Sequence, residues 1–135
     1  MKYFPVLLLL AGFGLAEEPN SDLQLALRGA AALKTNLRDP ESLKILRVVI
    51  TKRDVHGDSI SDVCFEYNAK NGVGGYTGTD VASYTADPKK ETLRLSDGFE
   101  SALGLCRLDE KLVKKGKATS SDLTDALLKL SPEQP

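Results

Sequence analysis

Residues 62–78 constrain this chain most. From Asp62 to Lys70 the side chains alternate, with Val63, Phe65, Tyr67 and Ala69 on one face and Cys64, Glu66, Asn68 and Lys70 on the other. A period of two, apolar against mainly polar, is the pattern of a strand with one buried face. The run then enters Asn71 to Gly75, where three glycines fall in four residues. Asn and Gly tolerate positive φ, so Asn71-Gly72 and Gly74-Gly75 predict a sharply curled connection. Tyr76 to Ala86 follows as a more polar strand.

Around this hairpin the sequence predicts helices. In Ser21 to Leu37, residues Leu23, Leu27, Ala30, Leu33 and Leu37 recur at helical spacing, widened by Ala26 and Ala31. Ser21 with Gln24 fits a capping box, and Gly29 weakens the helix slightly. Asp39-Pro40-Glu41-Ser42 reads as a second, short helix start, capped by Asp39 and running to about Ile45. Leu46 to Lys52 is rich in β-branched residues and reads as a strand, and Asp54 to Asp58 as a turn. Asp87-Pro88-Lys89-Lys90 is a β-turn, with a fourth short strand over Glu91 to Leu95. Asp97 is placed to cap the next helix, in which Phe99, Ala102, Leu103 and Cys106 share one face. Asp109 to Lys115 and Ser121 to Leu130 read as two further helices around Gly116. The expectation is an α+β domain: an antiparallel sheet of three or four strands, packed on one side by N- and C-terminal helices.

The N-terminus carries Lys2, an apolar run from Phe4 to Leu15, and small residues Gly14 and Ala16 before Glu17. That is the layout of a secretory signal peptide, with cleavage after Ala16; the alternative is a retained N-terminal anchor. The run is too short for a stable bilayer span, and no later stretch is apolar enough for one. The expected organisation is a signal peptide at 1–16, one domain at 17–130 and a disordered tail at 131–135. The expected location is exported, periplasmic or secreted.

Without Lys2 the chain holds 17 basic and 19 acidic residues, a formal charge of −2. That balance speaks against nucleic-acid binding, which needs a concentrated basic surface. Lys111, Lys114, Lys115 and Lys117 form the one basic cluster in sequence and read as a solvated helix end. Cys64 and Cys106 are the only cysteines. In an exported chain an even count predicts a disulfide; the alternative is two buried thiols. Two Cys and one His fall short of a structural zinc set, so no metal or other cofactor is expected.

Asp39-Pro40-Glu41-Ser42, Cys64, Asn68-Ala69-Lys70-Asn71, Gly74-Gly75-Tyr76 and Gly78, with Phe99 and Cys106 downstream, resemble a group of small exported bacterial and phage-associated proteins. Their pattern is a D-P-x-S helix start, then V-C-G-x-V-N-A-K-N-x-x-G-G-Y-x-G, then a helix with an aromatic residue and a second cysteine. The resemblance covers about 70 residues, Leu37 to Arg107. Phe65 stands where the pattern has glycine, Tyr67 where it has an aliphatic residue, and Thr79 where it has an aromatic; the last helix has no Trp. The Gly-to-Phe departure implies altered packing beside Cys64. What the resemblance implies is a fold and a disulfide, not a mechanism.

No catalytic set stands out. The glycines lack the Gly-Lys-Ser/Thr ending of a phosphate loop and the helix of a dinucleotide site. His56, the one histidine, reads as a solvent-facing turn residue. The candidate site is therefore a binding loop: Asn68, Lys70, Asn71 and Tyr76, with Gly72, Gly74, Gly75 and Gly78 setting its geometry. The first functional expectation is a non-catalytic exported module binding a protein or envelope component. The alternatives are a small hydrolase using Glu66, Lys70 and Tyr76, and a structural subunit with an exposed apolar patch.

Overall fold

The protein is described by a computed structural model covering residues 21–76, 78–96 and 101–130. The expected signal peptide and tail, together with Asp97 and Phe99, lie outside the described residues. The elements run α1 (Ser21–Thr35), a 3-10 turn (Pro40–Ser42), β1 (Lys44–Val55), β2 (Asp58–Asn68), β3 (Asp80–Ala86), β4 (Glu91–Arg94), α2 (Ala102–Lys114), β5 (Thr119–Asp122) and α3 (Thr124–Leu130). The fold is α+β, built on one antiparallel sheet in the order β4-β3-β2-β1-β5.

The alternation in β2 does what its period requires. Val63, Phe65, Tyr67 and Ala69 are all buried, in one cluster with Val48 and Ile50 of β1 and Leu25, Ala26 and Leu33 of α1. The β1–β2 hairpin turns on His56 and Gly57, both at positive φ (51° and 86°). Two left-handed residues match the twist of the flanking strands, and His56 is exposed there as expected. A register shift between Ile45 and Arg47 in β1 leaves Leu46 outside the ladder and exposed. Such a bulge lets Ile45 and Val48, an odd number of residues apart, both reach the core.

Gly29 is where α1 meets the sheet. A Cβ there would lie 2.9 Å from Phe65 Cζ and 2.9 Å from Tyr84 Cβ. The missing side chain makes room for the Phe65 ring. Gly29→Ala should therefore destabilise the fold. Helix propensity gains about 1 kcal/mol, but overpacking costs about 1–3 kcal/mol. Urea unfolding checks this: a higher midpoint for the alanine variant would mean that α1 can back away freely.

Four sequence expectations are corrected. Helices lie on both faces of the sheet, not one: Gly29 of α1 faces Phe65, while Cys106 of α2 bonds Cys64, and neighbouring residues of a strand point to opposite faces. The short helix from Asp39 is a single 3-10 turn without a side-chain cap from Asp39, and β1 already begins at Lys44. The two helices expected around 97–115 are one, α2, capped by Ser101, whose Oγ accepts from Gly104 N at 3.2 Å. It ends at Gly116 (φ 72°), with Lys117 N donating to Leu112 O and Gly116 N to Val113 O, a Schellman close.

The fourth correction concerns Ser121. The segment opens not as a helix but as the fifth strand, Thr119–Asp122, paired with β1 from Lys52 to Val49. All four of its residues are exposed, so no hydrophobic alternation announces it. It ends where Asp122 Oδ1 accepts from Thr124 N (2.9 Å) and Thr124 Oγ1 (2.6 Å), starting α3.

Candidate functional site

The loop after β2 is closed by its own backbone and by one side chain. Lys70 and Tyr76 form a single β-bridge at its base. Asn71 N donates to Gly75 O (2.7 Å), and Asn71 O accepts from Gly74 N (3.1 Å). Asn71 Oδ1 accepts from both Val73 N (3.0 Å) and Gly75 N (3.1 Å). Asn71 thus shapes the loop, and its carboxamide oxygen is already engaged. Of the glycines, Gly74 (89°) and Gly78 (93°) take positive φ; Gly72 and Gly75 do not, which narrows the expectation. Gly72 lies beside Arg38: a Cβ there would be 3.1 Å from Arg38 Nη1, the movable end of that side chain.

The base is tied to the preceding turn. Ser42 Oγ accepts from Lys70 N (2.8 Å) and donates to Asp39 O (2.7 Å). The Asp-Pro-Glu-Ser and Asn-Ala-Lys-Asn segments, 26 positions apart in sequence from Ser42 to Asn68, therefore act as one support.

This support lifts two hydrophobic residues into solvent, Val73 (92% exposed) and Tyr76 (41%). Lys44 Nζ lies 4.7 Å and Lys70 Nζ 5.5 Å from the Tyr76 ring centroid. Both are within cation–π range, worth about 0.5–1 kcal/mol each at an exposed site. Arg38, Lys44 and Lys70 are in no ion pair among the described residues. The loop is thus a firm tip combining apolar surface with three cations that have no carboxylate partner among the described residues.

Of the sequence-predicted residues, the structure brings together Lys70, Asn71 and Tyr76. Asn68 is half-buried at the end of β2, with its Oδ1 buried and without a hydrogen-bond partner among the described residues. Glu66 is not linked to Lys70 or Tyr76 by any hydrogen bond or ion pair among the described residues; its partner is Arg47, at 3.8 Å. Sequence reasoning missed Arg38, Lys44 and Val73. The first two arrive from the turn and from β1, and only the hairpin register (Lys44 opposite Asn68) places Lys44 there.

It also missed a buried polar network under α2. Asp62 is fully buried; its Oδ2 accepts from Arg53 Nη2 (3.0 Å) and Nε (3.2 Å), and its Oδ1 from Thr85 Oγ1 (2.7 Å). Arg94 Nη1 donates to Thr85 Oγ1 (3.2 Å). Asp109 of α2, 2% exposed, closes the network: its Oδ1 is 3.5 Å from Arg53 Nε without hydrogen-bond geometry. Burial, then the charge of Asp62 and a hydrogen bond between the two carboxyls, push Asp109 up to about 8 against the opposing pull of Arg53. Asp109 is therefore mainly neutral near pH 7. The polar face of β2 hinted at Asp62 in sequence; nothing marked Asp109 among the charges of α2.

Among the described residues no group of three His, Cys, Asp or Glu is placed to hold a metal ion. No helix among them is long and apolar enough to cross a membrane. Fold and loop together define an α+β domain with one disulfide, Cys64–Cys106, and a protruding cationic–aromatic tip. No protein family, no curated protein and no solved structure matches the chain.

Proposed function

We propose that this is a non-catalytic exported binding module whose tip, Val73 and Tyr76 among Arg38, Lys44 and Lys70, engages an acidic surface on an envelope component. The observation that carries this reading is the loop's internal closure. Asn71 spends its hydrogen bonds on the loop backbone, so Val73 and Tyr76 stand exposed without collapse. A preorganised tip costs little ordering entropy on binding. Exposed Tyr with neighbouring cations is the composition that anchors interfaces. The leader-like N-terminus and the disulfide, which fits an oxidising compartment, support the exported part of this reading.

The test is capture from the envelope fraction of the source cells, using the immobilised chain from Glu17 onward. The native protein should retain a partner that is released at 0.5 M salt, about an order of magnitude above dilute buffer, because exposed charge contacts are screened. Tyr76→Ala, and Lys44→Glu combined with Lys70→Glu, should each lose it. Identical capture by native and variant proteins would overturn the reading.

A second reading, a structural subunit, is favoured by the exposed Leu103, Leu108 and Leu130 on α2 and α3. It makes the opposite prediction: Leu108→Glu abolishes capture, while the lysine reversals leave it intact.

A further inference from the structure

A cavity of about 500 Å3 lies between α2 and the sheet and shares no residue with the loop at 70–76. Its apolar walls include Val49 and Val81 from the strands, Leu103 and Val113 from α2, and the Cys64–Cys106 bridge. Asp109 also lines it, and Asp109 Oδ1 is buried with no hydrogen-bond partner. Arg53 Nε stands 3.5 Å from that oxygen without hydrogen-bond geometry, so a ligand donor reaching it would add a hydrogen bond that the described residues do not supply. Among the exposed lining residues, Arg107 and Lys114 form no ion pair among the described residues, whereas Arg47 is paired with Glu66. Glu110 is the remaining acid of the lining, which leaves a net positive entrance.

We propose that this cavity binds a small amphiphilic organic anion. The apolar body lies against Val49, Val81, Val113 and the disulfide. A hydroxyl or N–H at its inner end donates to Asp109 Oδ1. Its acid group rests against Arg107 and Lys114. The volume suits a ligand of two fused or linked rings, in the range of ordinary small-molecule sites of about 300–1,000 Å3. The neutral state of Asp109 near pH 7 favours this occupant, because an ionised carboxylate beside the ligand would repel an anion.

Fluorescence titration with two probes tests the proposal on the oxidised chain from Glu17 onward. The first, 6-anilinonaphthalene-2-sulfonate, has the apolar body and carries its N–H and its anionic group at opposite ends of the naphthalene. The second, N-phenyl-2-naphthylamine, is the same molecule without the sulfonate. Saturable one-to-one binding of the sulfonate is expected, with the neutral amine binding about tenfold more weakly, the equivalent of one lost charge contact. Arg107→Glu with Lys114→Glu, both at exposed positions, should weaken the sulfonate about tenfold and leave the amine unchanged. Leu103→Trp, which narrows the cavity from a partly exposed position, should weaken both probes while the circular dichroism spectrum is retained. The proposal is overturned by an absence of saturable sulfonate binding, by equal affinity for the two probes, or by charge-reversed and cavity-filled variants that bind like the native chain.

Discussion

The folded protein should lose stability as the pH rises from about 4 to about 8, the reverse of the usual behaviour of a chain with paired surface carboxylates. The cause is Asp109. In the unfolded chain its carboxyl titrates at about 3.9; in the fold it is pushed up to about 8 by burial and by Asp62. Between these values the native state holds a proton that the unfolded state has released. Stability then falls with pH by up to about 1.4 kcal/mol per unit, and levels off once Asp109 ionises in the fold as well. The groups around it are Arg53 from β1, Asp62 and Cys64 from β2, and, one hydrogen bond further out, Thr85 from β3 with Arg94 beyond.

Asp87, Glu91 and Asp122 act in the other direction. Asp87 is held low by backbone N–H groups of Lys89 and Lys90, Glu91 by Arg28, and Asp122 by Thr124. Their contributions are in place above their unfolded values near 4 and are lost only as the pH falls further, so they do not mask Asp109. Thermal unfolding followed by circular dichroism should show Tm falling by on the order of 10 °C between pH 5 and pH 8. Asp109→Asn keeps the shape and a donor for Asp62 but cannot ionise. Its Tm should stay level over that range and exceed the native value at pH 8. A native Tm that rises from pH 5 to 8, or an Asn variant that tracks it, would sink this account.

The second large effect concerns the Cys64–Cys106 bridge, which joins residues 42 positions apart. Chain-entropy reasoning assigns such a loop about 4 kcal/mol, a large share of the roughly 5–15 kcal/mol that holds a domain of this size. Tm should fall by about 15 °C on reduction, or in the Cys64→Ala, Cys106→Ala double variant. The loss should be uneven. Of the 13 residues of α2 only Ala102 and Asp109 are buried, whereas α1 buries Leu25, Ala26, Gly29 and Leu33. The bridge is therefore the principal fastener of α2, while α1 is held by the core. Amide hydrogen exchange after reduction should rise steeply across 102–114 and stay slow in β1, β2 and β3. Uniform acceleration over the whole chain would contradict this division.

How far the sequence could be read depended on whether a segment's fate was written in its own residues. β2 and α1 were legible because their apolar periods, two and near 3.6, are local records of which face is buried. The turn at His56-Gly57 was legible from composition. The 3-10 turn at Pro40–Ser42 and the strand Thr119–Asp122 were not, because both are settled by partners. Ser42 is fixed by Lys70 N, and Thr119–Asp122 by the free edge of β1. The candidate loop was half legible. Its glycines, Asn71 and Tyr76 lie in one run, but Arg38 and Lys44 come from other elements.

By itself, then, the sequence determined the α+β class, the strand that centres the sheet, and the loop after it, since these rest on local periodicity and on the backbone freedom of Gly and Asn. Tertiary structure alone decided that helices cover both faces, that Gly29 yields its place to the Phe65 ring, and that Asp62 and Asp109 meet across β2 and α2. Those outcomes turn on which surfaces approach within van der Waals or hydrogen-bond distance. No pattern within a single segment records that, because the energy of a buried carboxyl or a missing Cβ exists only in the presence of its neighbour.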